Sequence, residues 1–300
     1  MCVAAFFGTL QAGFTDFHYL RPIWTKTTQK DALLGIGMTG IGSGEILKYN
    51  LEEASHLAKI TNGLIAERLG INEAARITCI KPSGTTSCVL GTASGIHAWY
   101  APYYLRTIRF NKNEDIASYL SIYHPELCED DLLRPDTLCV RIPISAPDGS
   151  IFRTESAIET LERVKKFSTE WINSGHINGK NTHNVSATIN VKKNPLMIED
   201  GKGNYIQKLD VNNNPIFIEN EWASVGAWMW ENKEHYNGLS VMPYDNGSYT
   251  QAPFEEITEE EYNKRLSSLK SIDLSKIIEL EDNIDFGAIA ACSGGQCSLE

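Results

Sequence analysis

Apolar positions along the chain follow two periods. Leu51, Ala54, Leu57, Ala58, Leu64 and Ile65 fall on one helical face, and Gly70 stands where a helix-terminating C′ glycine belongs. A second helical stripe, Ile158, Leu161, Val164, Phe167 and Trp171, follows Thr154 and Glu155, which are expected to open that helix. Period-two or continuous apolar runs mark strands at Ile77–Ile80, at Leu138–Ile144 ahead of a Pro147-Asp-Gly149 turn, and across Val185, Ala187, Ile189 and Val191. Further helices are expected around Glu219–Glu234 and Glu256–Leu269, and the polar, Asn- and Lys-rich stretch 194–216 reads as an exposed insertion or hairpin. Val3–Leu10 reads as a buried apolar element, an abrupt start that suggests a continuation of something before it. Strands alternating with helices predict an α/β fold.

Composition narrows the classes. Three hundred residues, 42% hydrophobic and 22% charged, suffice for a real core. A net charge of −11 argues against nucleic-acid binding, which needs a basic footprint. No apolar run reaches the ~18 residues of a membrane span, and Met1-Cys-Val-Ala-Ala-Phe-Phe lacks the basic region of a signal peptide. Seven irregularly spaced cysteines fit a reducing, cytoplasmic setting. On that reading Asn184-Val-Ser186 and Asn246-Gly-Ser248 are not glycosylation sites.

Charge is unevenly spread. Between Glu73 and Glu114 there is no Asp or Glu, while Arg76, Lys81, Arg106, Arg109 and Lys112 fall in the interval. That predicts a local positive field attractive to an anion. Within it an expected strand runs into Pro82-Ser83-Gly84-Thr85-Thr86-Ser87 and then an expected helix start. Gly84 permits close backbone approach, and hydroxyls and N–H groups can converge on one oxyanion. In isolation the same residues also read as an N-cap and turn; the acid-free surroundings favour a phosphate cradle.

The chain ends Cys292-Ser-Gly-Gly-Gln-Cys297-Ser-Leu-Glu. A disulfide needs Cα atoms about 4.4–6.8 Å apart, which Gly294 and Gly295 allow so short a loop to reach. Small residues precede the pair, and a flexible stretch of about 15 residues has an r.m.s. span of roughly 20 Å. Such a leash suits delivery of reducing equivalents to a buried site; the plainer reading is a frayed tail.

Other patterns fail on context. Gly35-Ile-Gly37-Met-Thr-Gly40 matches G-x-G-x-x-G but follows Lys26–Asp31 instead of an apolar strand. Cys79, Cys88, Cys128 and Cys139 lack zinc spacing and read as core thiols. Asp16-Phe-His18-Tyr-Leu-Arg21 begins like a cobalt-ligating histidine signature, but Arg21 replaces its glycine, so no histidine ligand is assigned.

Taken in order, several segments resemble the adenosylcobalamin-dependent (class II) ribonucleotide reductases, most closely the monomeric ribonucleoside-triphosphate type. They are Ala5–Ala12 through Phe17–Pro22, Gly37-Met-Thr-Gly40, Lys81–Ser87 running to Ser94-Gly-Ile-His97, Asn184–Thr188, Tyr244 through Gln251–Phe254, and the cysteine tail. The resemblance implies a ten-stranded α/β barrel of two five-stranded parallel halves, of which residues 1–282 would be the C-terminal half and 283–300 a flexible redox tail. It implies thiyl-radical reduction of a ribonucleoside triphosphate with adenosylcobalamin as cofactor. Ser83, Gly84, Thr85, Thr86 and Ser87 would hold the substrate phosphates. Cys292 and Cys297 would shuttle electrons from thioredoxin, and Gly175, His176, Asn178 and Gly179 would line the cobalamin site.

One departure matters. The family's radical loop reads Asn-x-Cys-x-Glu, and no cysteine here fits; Cys128, nearest, has Glu126 before it and Asp130 after it. The expected partner is therefore an N-terminal reductase fragment carrying that loop, without which the chain would not reduce nucleotides. The competing expectation is a non-catalytic nucleotide- or cobalamin-binding remnant acting as an assembly module.

Overall fold

A computed structural model describes residues 1–199, 205–244 and 251–277. In chain order these form α1 (Cys2–Ala12), α2 (Pro22–Asp31), α3 (Leu51–Leu69), α4 (Thr85–Val89), β1 (Tyr103–Asn111), α5 (Asp115–Tyr123), β2 (Cys128–Asp130), β3 (Thr137–Ser145) and α6 (Ala157–Phe167). There follow β4 (Thr188–Val191), β5 (Lys193–Pro195), β6 (Met197–Glu199), β7 (Tyr205–Gln207), β8 (Phe217–Asn220), α7 (Trp222–Glu231), β9 (Ser240–Pro243), β10 (Phe254–Glu256) and α8 (Glu259–Ser268). The chain divides into two compact units, Met1–Ala98 with Arg153–Tyr244, and Trp99–Phe152 with the part after Asp245.

The first unit is built on extended segments that lie side by side in chain order, all parallel. Ile36 bridges Thr78, Ile80 bridges Val185, and β4 pairs with β9 from Thr188↔Ser240 to Val191↔Pro243. Backbone bonds extend the short bridges: Ile36 N–H to Ile77 O at 2.9 Å, Cys79 N–H to Ile36 O at 3.0 Å and Ser186 N–H to Ile80 O at 2.9 Å. Parallel neighbours need long crossovers, and the intervening chain supplies α3, α6 and α7. Ile36, Ile77, Ile80, Val185, Ile189 and Val191 are buried together with Leu161, Val164, Phe167 and Trp171 of the α6 region. Near-continuous apolar burial is what a parallel sheet covered by helices requires.

Two helices differ from their sequence reading. The buried face of α3 is Leu51, Ser55, Ala58, Asn62 and Ala66, while Leu57 and Leu64 are exposed. Small residues let α1 approach closely, and the buried amide of Asn62 is satisfied by donating to Thr9 Oγ1 (3.0 Å) and accepting from Ala74 N–H (2.9 Å). The sixth helix starts at Ala157, because Ser156 and Glu159 form a reciprocal capping box there, so Thr154 and Glu155 lie outside it. It runs on into a π-helical turn, Ser168–Asn173, that seats Trp171 in the core. The 194–216 region forms two short antiparallel ladders, β5 with β8 and β6 with β7, in keeping with a hairpin-like insertion.

The second unit is an antiparallel sheet in the order β10-β1-β3-β2 with a small core of Ala117, Tyr119, Leu120, Leu127, Leu138 and Val140. Three cations of the acid-free interval belong here and are already engaged. Arg109 Nε meets Asp131 at 2.6 Å, Lys112 meets Asp130 at 2.6 Å, and Arg106 lies 5.6 Å over the Phe254 ring. Two of the cations behind the expected positive field are thereby paired with acids, and Arg76 and Lys81 lie in the first unit. Among the described residues no helix is long and apolar enough to cross a membrane.

Candidate functional site

In a parallel α/β sheet, ligands bind beyond the carboxyl ends of the strands. The loop Lys81–Ser87 leaves the sheet there, directly after Ile80. Gly84 adopts φ 53°, ψ −128°, a region essentially confined to glycine, and a Cβ at this position would meet nothing within 4 Å. Its conformation is thus set by the backbone turn, and its surroundings are open. The short α4 that follows has no side-chain cap at its N-terminus, and Thr85 and Thr86 are exposed.

The hydroxyls expected to act together divide into two sets. Ser83 and Ser87 are structural: Ser83 Oγ donates to Thr39 Oγ1 and its N–H to Ser94 Oγ (3.0 Å), while Ser87 Oγ donates to Gly84 O (2.8 Å). Thr85 and Thr86, with the exposed backbone at Gly84, remain turned to the open side. The Gly-rich segment set aside as a dinucleotide motif is the platform for this loop. Thr39 Oγ1 donates to Ala93 O (2.9 Å), Gly40 N–H to Ala93 O (2.8 Å) and Ile41 N–H to Gly95 O (3.0 Å). Packing is too close for side chains: a Cβ on Gly42 would sit 2.1 Å from His97 O, and one on Gly95 2.6 Å from Lys81 O.

His97, which sequence reasoning carried only as the end of a motif, ties the loop's return to the sheet. Its Nδ1 lies 3.1 Å from Ser94 O, which can only accept, and its Nε2 lies 3.0 Å from Thr188 N–H, which can only donate. Those partners fix the neutral tautomer with the proton on Nδ1. Burial pushes its pKa down, the bond to Ser94 opposes this, and nearby Arg163 adds to it. Beside it a pocket of about 50 Å³, lined by His97, Arg153, Glu155, Thr160, Thr188 and Asn190, has room for about one or two waters. Glu155 holds Arg163 there through both carboxylate oxygens, at 2.5 and 2.8 Å, and burial pushes its carboxyl up despite that pairing.

A pH dependence follows. His97 and His183 both have pKa values below the ordinary histidine range, burial being the main cause in each. The unfolded chain therefore binds more protons than the folded one once pH falls below about 6.5. Stability should fall on acidification through that window, each histidine adding up to about 1.4 kcal/mol per pH unit. Urea unfolding between pH 7.5 and 5 should show the loss, and His97→Gln should reduce the slope; a flat profile would contradict the buried neutral assignment.

Three of the thiols in the described residues are held in the protonated form, whereas Cys88, read from the sequence as a core thiol, is exposed. Burial raises the Cys79 pKa against the pull of Lys81, raises that of Cys128 with help from Glu126, and pushes Cys139 up to about 11. Such thiols stay protonated near neutrality. Cys128 lies on the edge strand β2 of the second unit. Cys292 and Cys297 lie outside the described residues.

Gly175, His176, Asn178 and Gly179 stand at the other edge of the parallel sheet from the phosphate loop. Ile77 N–H bonds Gly175 O (3.1 Å), and Ile177 and Asn178 N–H both reach Ala75 O (3.0 and 3.2 Å), all near the amino end of the segment that Ile80 closes. Among the described residues no group of His, Cys, Asp and Glu is placed to hold a metal ion.

No protein-family model matches the chain. It is 23% identical over 328 aligned positions to an adenosylcobalamin-dependent ribonucleoside-triphosphate reductase of Lactobacillus acidophilus, covering 95% of this chain and 39% of that protein. Proteins of the same description from Lactobacillus leichmannii and Euglena gracilis are 27% and 26% identical, covering 78% and 84% of this chain and 28% and 30% of theirs. The chain thus spans between about a quarter and two fifths of the curated relatives it matches. A crystal structure of a B12-dependent (class II) ribonucleotide reductase superposes with a TM-score of 0.64 at 21% identity, over 88% of this chain and 37% of that one. Over most of its own length the chain is similar to adenosylcobalamin-dependent ribonucleoside-triphosphate reductases, and its mixed α/β fold matches that of a class II ribonucleotide reductase.

Proposed function

We propose that this chain is the phosphate-holding part of an adenosylcobalamin-dependent ribonucleoside-triphosphate reductase. It would act with a half-barrel that carries Asn-x-Cys-x-Glu. The observation that carries the reading is the Ser83–Ser87 loop at the carboxyl edge of a parallel sheet, braced from beneath by Thr39 and Ser94. Ser83 and Ser87 would shape the loop, Ser83 O also accepting from Thr86 N–H, while the N–H groups of Gly84 and Thr85 and the hydroxyls of Thr85 and Thr86 would be presented to the phosphates. Bound by its phosphates, the ribose would be held at a fixed distance from the radical cysteine supplied by the partner.

Adenosylcobalamin, when bound, supplies the organic radical that initiates the chemistry. Reduction then replaces the 2′-hydroxyl with hydrogen and releases water, two thiols becoming a disulfide. Cys292 and Cys297 are proposed to reduce that disulfide and be recharged by thioredoxin. A partner is supported by apolar side chains exposed in the first unit: Val3 and Phe7, in the segment the sequence reads as buried but of which only Ala5 and Thr9 are, with Phe14, Ile23 and Trp24. Surface of this kind marks an interaction site.

The direct test is co-expression with a polypeptide carrying the radical motif, followed by an assay with adenosylcobalamin, reduced thioredoxin and a ribonucleoside triphosphate. Deoxyribonucleoside triphosphate is expected from the pair and not from this chain alone. Nucleotide binding without turnover by the pair would favour the assembly-module reading. For the loop, Gly84→Ala imposes a backbone conformation costing about 1–3 kcal/mol on any residue with a Cβ. Because the site is open, the loop should relax with little change in melting temperature, yet triphosphate affinity by calorimetry should fall about tenfold or more. Unchanged affinity would remove the loop from the site.

A further inference from the structure

At the amino edge of the parallel sheet, cationic and ionisable side chains gather without a carboxylate among them. Arg76 opens the extended segment that ends at Ile80, and its backbone bridges His176. The guanidinium is half-buried, its Nε is buried without a hydrogen-bond partner, and among the described residues no acid pairs with it. His176 Nε2 donates to Gly179 O at 2.9 Å, which leaves its Nδ1 facing inward, buried and unpartnered. His183 Nδ1 donates to Thr78 O at 3.0 Å, and both Arg76 and His176 depress its pKa after burial itself, so the three groups share one neighbourhood. Gly179, at φ 94°, brings its backbone against the guanidinium, an ideal Cβ there lying 3.6 Å from Arg76 Nη2. Lys59 adds a fourth cation, donating to His176 O at 3.3 Å. The connecting run Asn178-Gly-Lys-Asn-Thr-His183 contains no acid.

An unpaired, half-buried guanidinium is costly, and buried polar atoms without partners add to the cost. A phosphate oxyanion resolves both at once, since Arg offers a planar fork and each imidazole, once protonated, one further N–H. We propose that Arg76, His176 and His183 form a phosphate-binding site separate from the Ser83–Ser87 loop. Arg76 to Ile80 spans four residues of extended chain, about 13 Å, so the two sites lie at opposite edges and take different phosphate groups. The site stands without the reductase reading. Only the source of its phosphate rests on that reading: either a nucleotide or the phosphodiester in the nucleotide tail of cobalamin.

The test uses the full chain and reads the histidine rings by NMR during titration with inorganic phosphate. Phosphate should raise the pKa of His183 by about one unit, shift the ring resonances of His176 and raise the melting temperature. Arg76→Gln should abolish these effects and, without phosphate, leave the chain as stable as wild type or more so, because an unpaired charge is removed. Arg76→Lys should retain part of the pKa response, and Gly84→Ala should retain all of it. Cobalamin active and cobinamide, which lacks the nucleotide tail, inactive would assign the phosphodiester; a nucleoside triphosphate active in its place would assign the nucleotide. Histidine titrations indifferent to phosphate, or equally responsive in Arg76→Gln, would overturn the site.

Discussion

Gly175→Ala should destabilise the first unit by about 3 kcal/mol. An ideal Cβ at Gly175 would lie 2.0 Å from Thr78 Oγ1, 2.6 Å from its Cγ2 and 2.8 Å from its Cβ. Thr78 cannot yield cheaply: it is 1% exposed, and its hydroxyl donates to Trp171 O at 2.6 Å. Overpacking alone costs about 1–3 kcal/mol, and displacing a buried hydroxyl from its acceptor adds on the order of 1 kcal/mol. Trp171 O has a further donor in Gly175 N–H at 3.1 Å, so losing the threonine bond does not strip it entirely. Thr78→Ala should therefore be mild and should rescue part of the Gly175→Ala loss. Urea unfolding of the two single variants and the double variant measures this, with an expected coupling of about 1–3 kcal/mol. Additive effects would mean that the approach of the Thr78 side chain is not what holds the glycine.

That close approach also shows where sequence reasoning stops. Ile77–Ile80 was legible as extended chain from its continuous apolar run and Val185–Val191 from buried residues alternating with polar ones, although only Thr188–Val191 forms a regular strand; Gly70 was legible because a left-handed helix end needs it. The α3 face was not: the apolar residues of highest hydropathy, Leu57 and Leu64, point outward, while Ser55 and Asn62 go inside. Periodicity weighs hydrophobicity, whereas here the deciding quantity is how near α1 can come and whether each buried amide finds a partner. The strand Tyr103–Asn111 was missed because its arginines interrupt the apolar pattern, although Leu105, Thr107 and Phe110 carry β-forming side chains. Its cations then misled the charge reading, since pairing with Asp130 and Asp131 depends on sheet register that no local window contains.

The loop was found through composition, but its internal division of labour was not. Nothing in Pro-Ser-Gly-Thr-Thr-Ser distinguishes Ser83 from Thr85; only the arrival of Thr39 and Ser94, 44 and 11 residues away, makes Ser83 a brace. His97 escaped for a similar reason. A lone histidine is unremarkable until both ring nitrogens are seen to be committed, one to the loop's return and one to β4. The Gly35–Gly40 run was denied a dinucleotide role on context, yet glycine is needed at its end and just beyond, because Gly40 and Gly42 lie against Thr92 and His97 too closely for any side chain.

Cys292→Ser should leave the first equivalent of deoxyribonucleotide intact and remove every later one when the chain works with its radical-bearing partner and thioredoxin. The reasoning is chemical, because both terminal cysteines fall outside the described residues. Thiol–disulfide exchange proceeds by thiolate attack on a disulfide sulfur through a mixed disulfide, which a second thiol must resolve. A serine at either position blocks attack or resolution, but it does not touch the reducing equivalents already stored in the active site. The thiols at Cys79, Cys128 and Cys139 offer no substitute, since all three have raised pKa values. A small dithiol such as dithiothreitol, which reaches the active-site disulfide without the tail, should restore turnover in Cys292→Ser and in Cys297→Ser. That rescue separates a lost shuttle from a damaged fold, because misfolding would defeat dithiothreitol as well. Steady-state turnover with thioredoxin at the wild-type rate in Cys292→Ser would show that electrons arrive by another route.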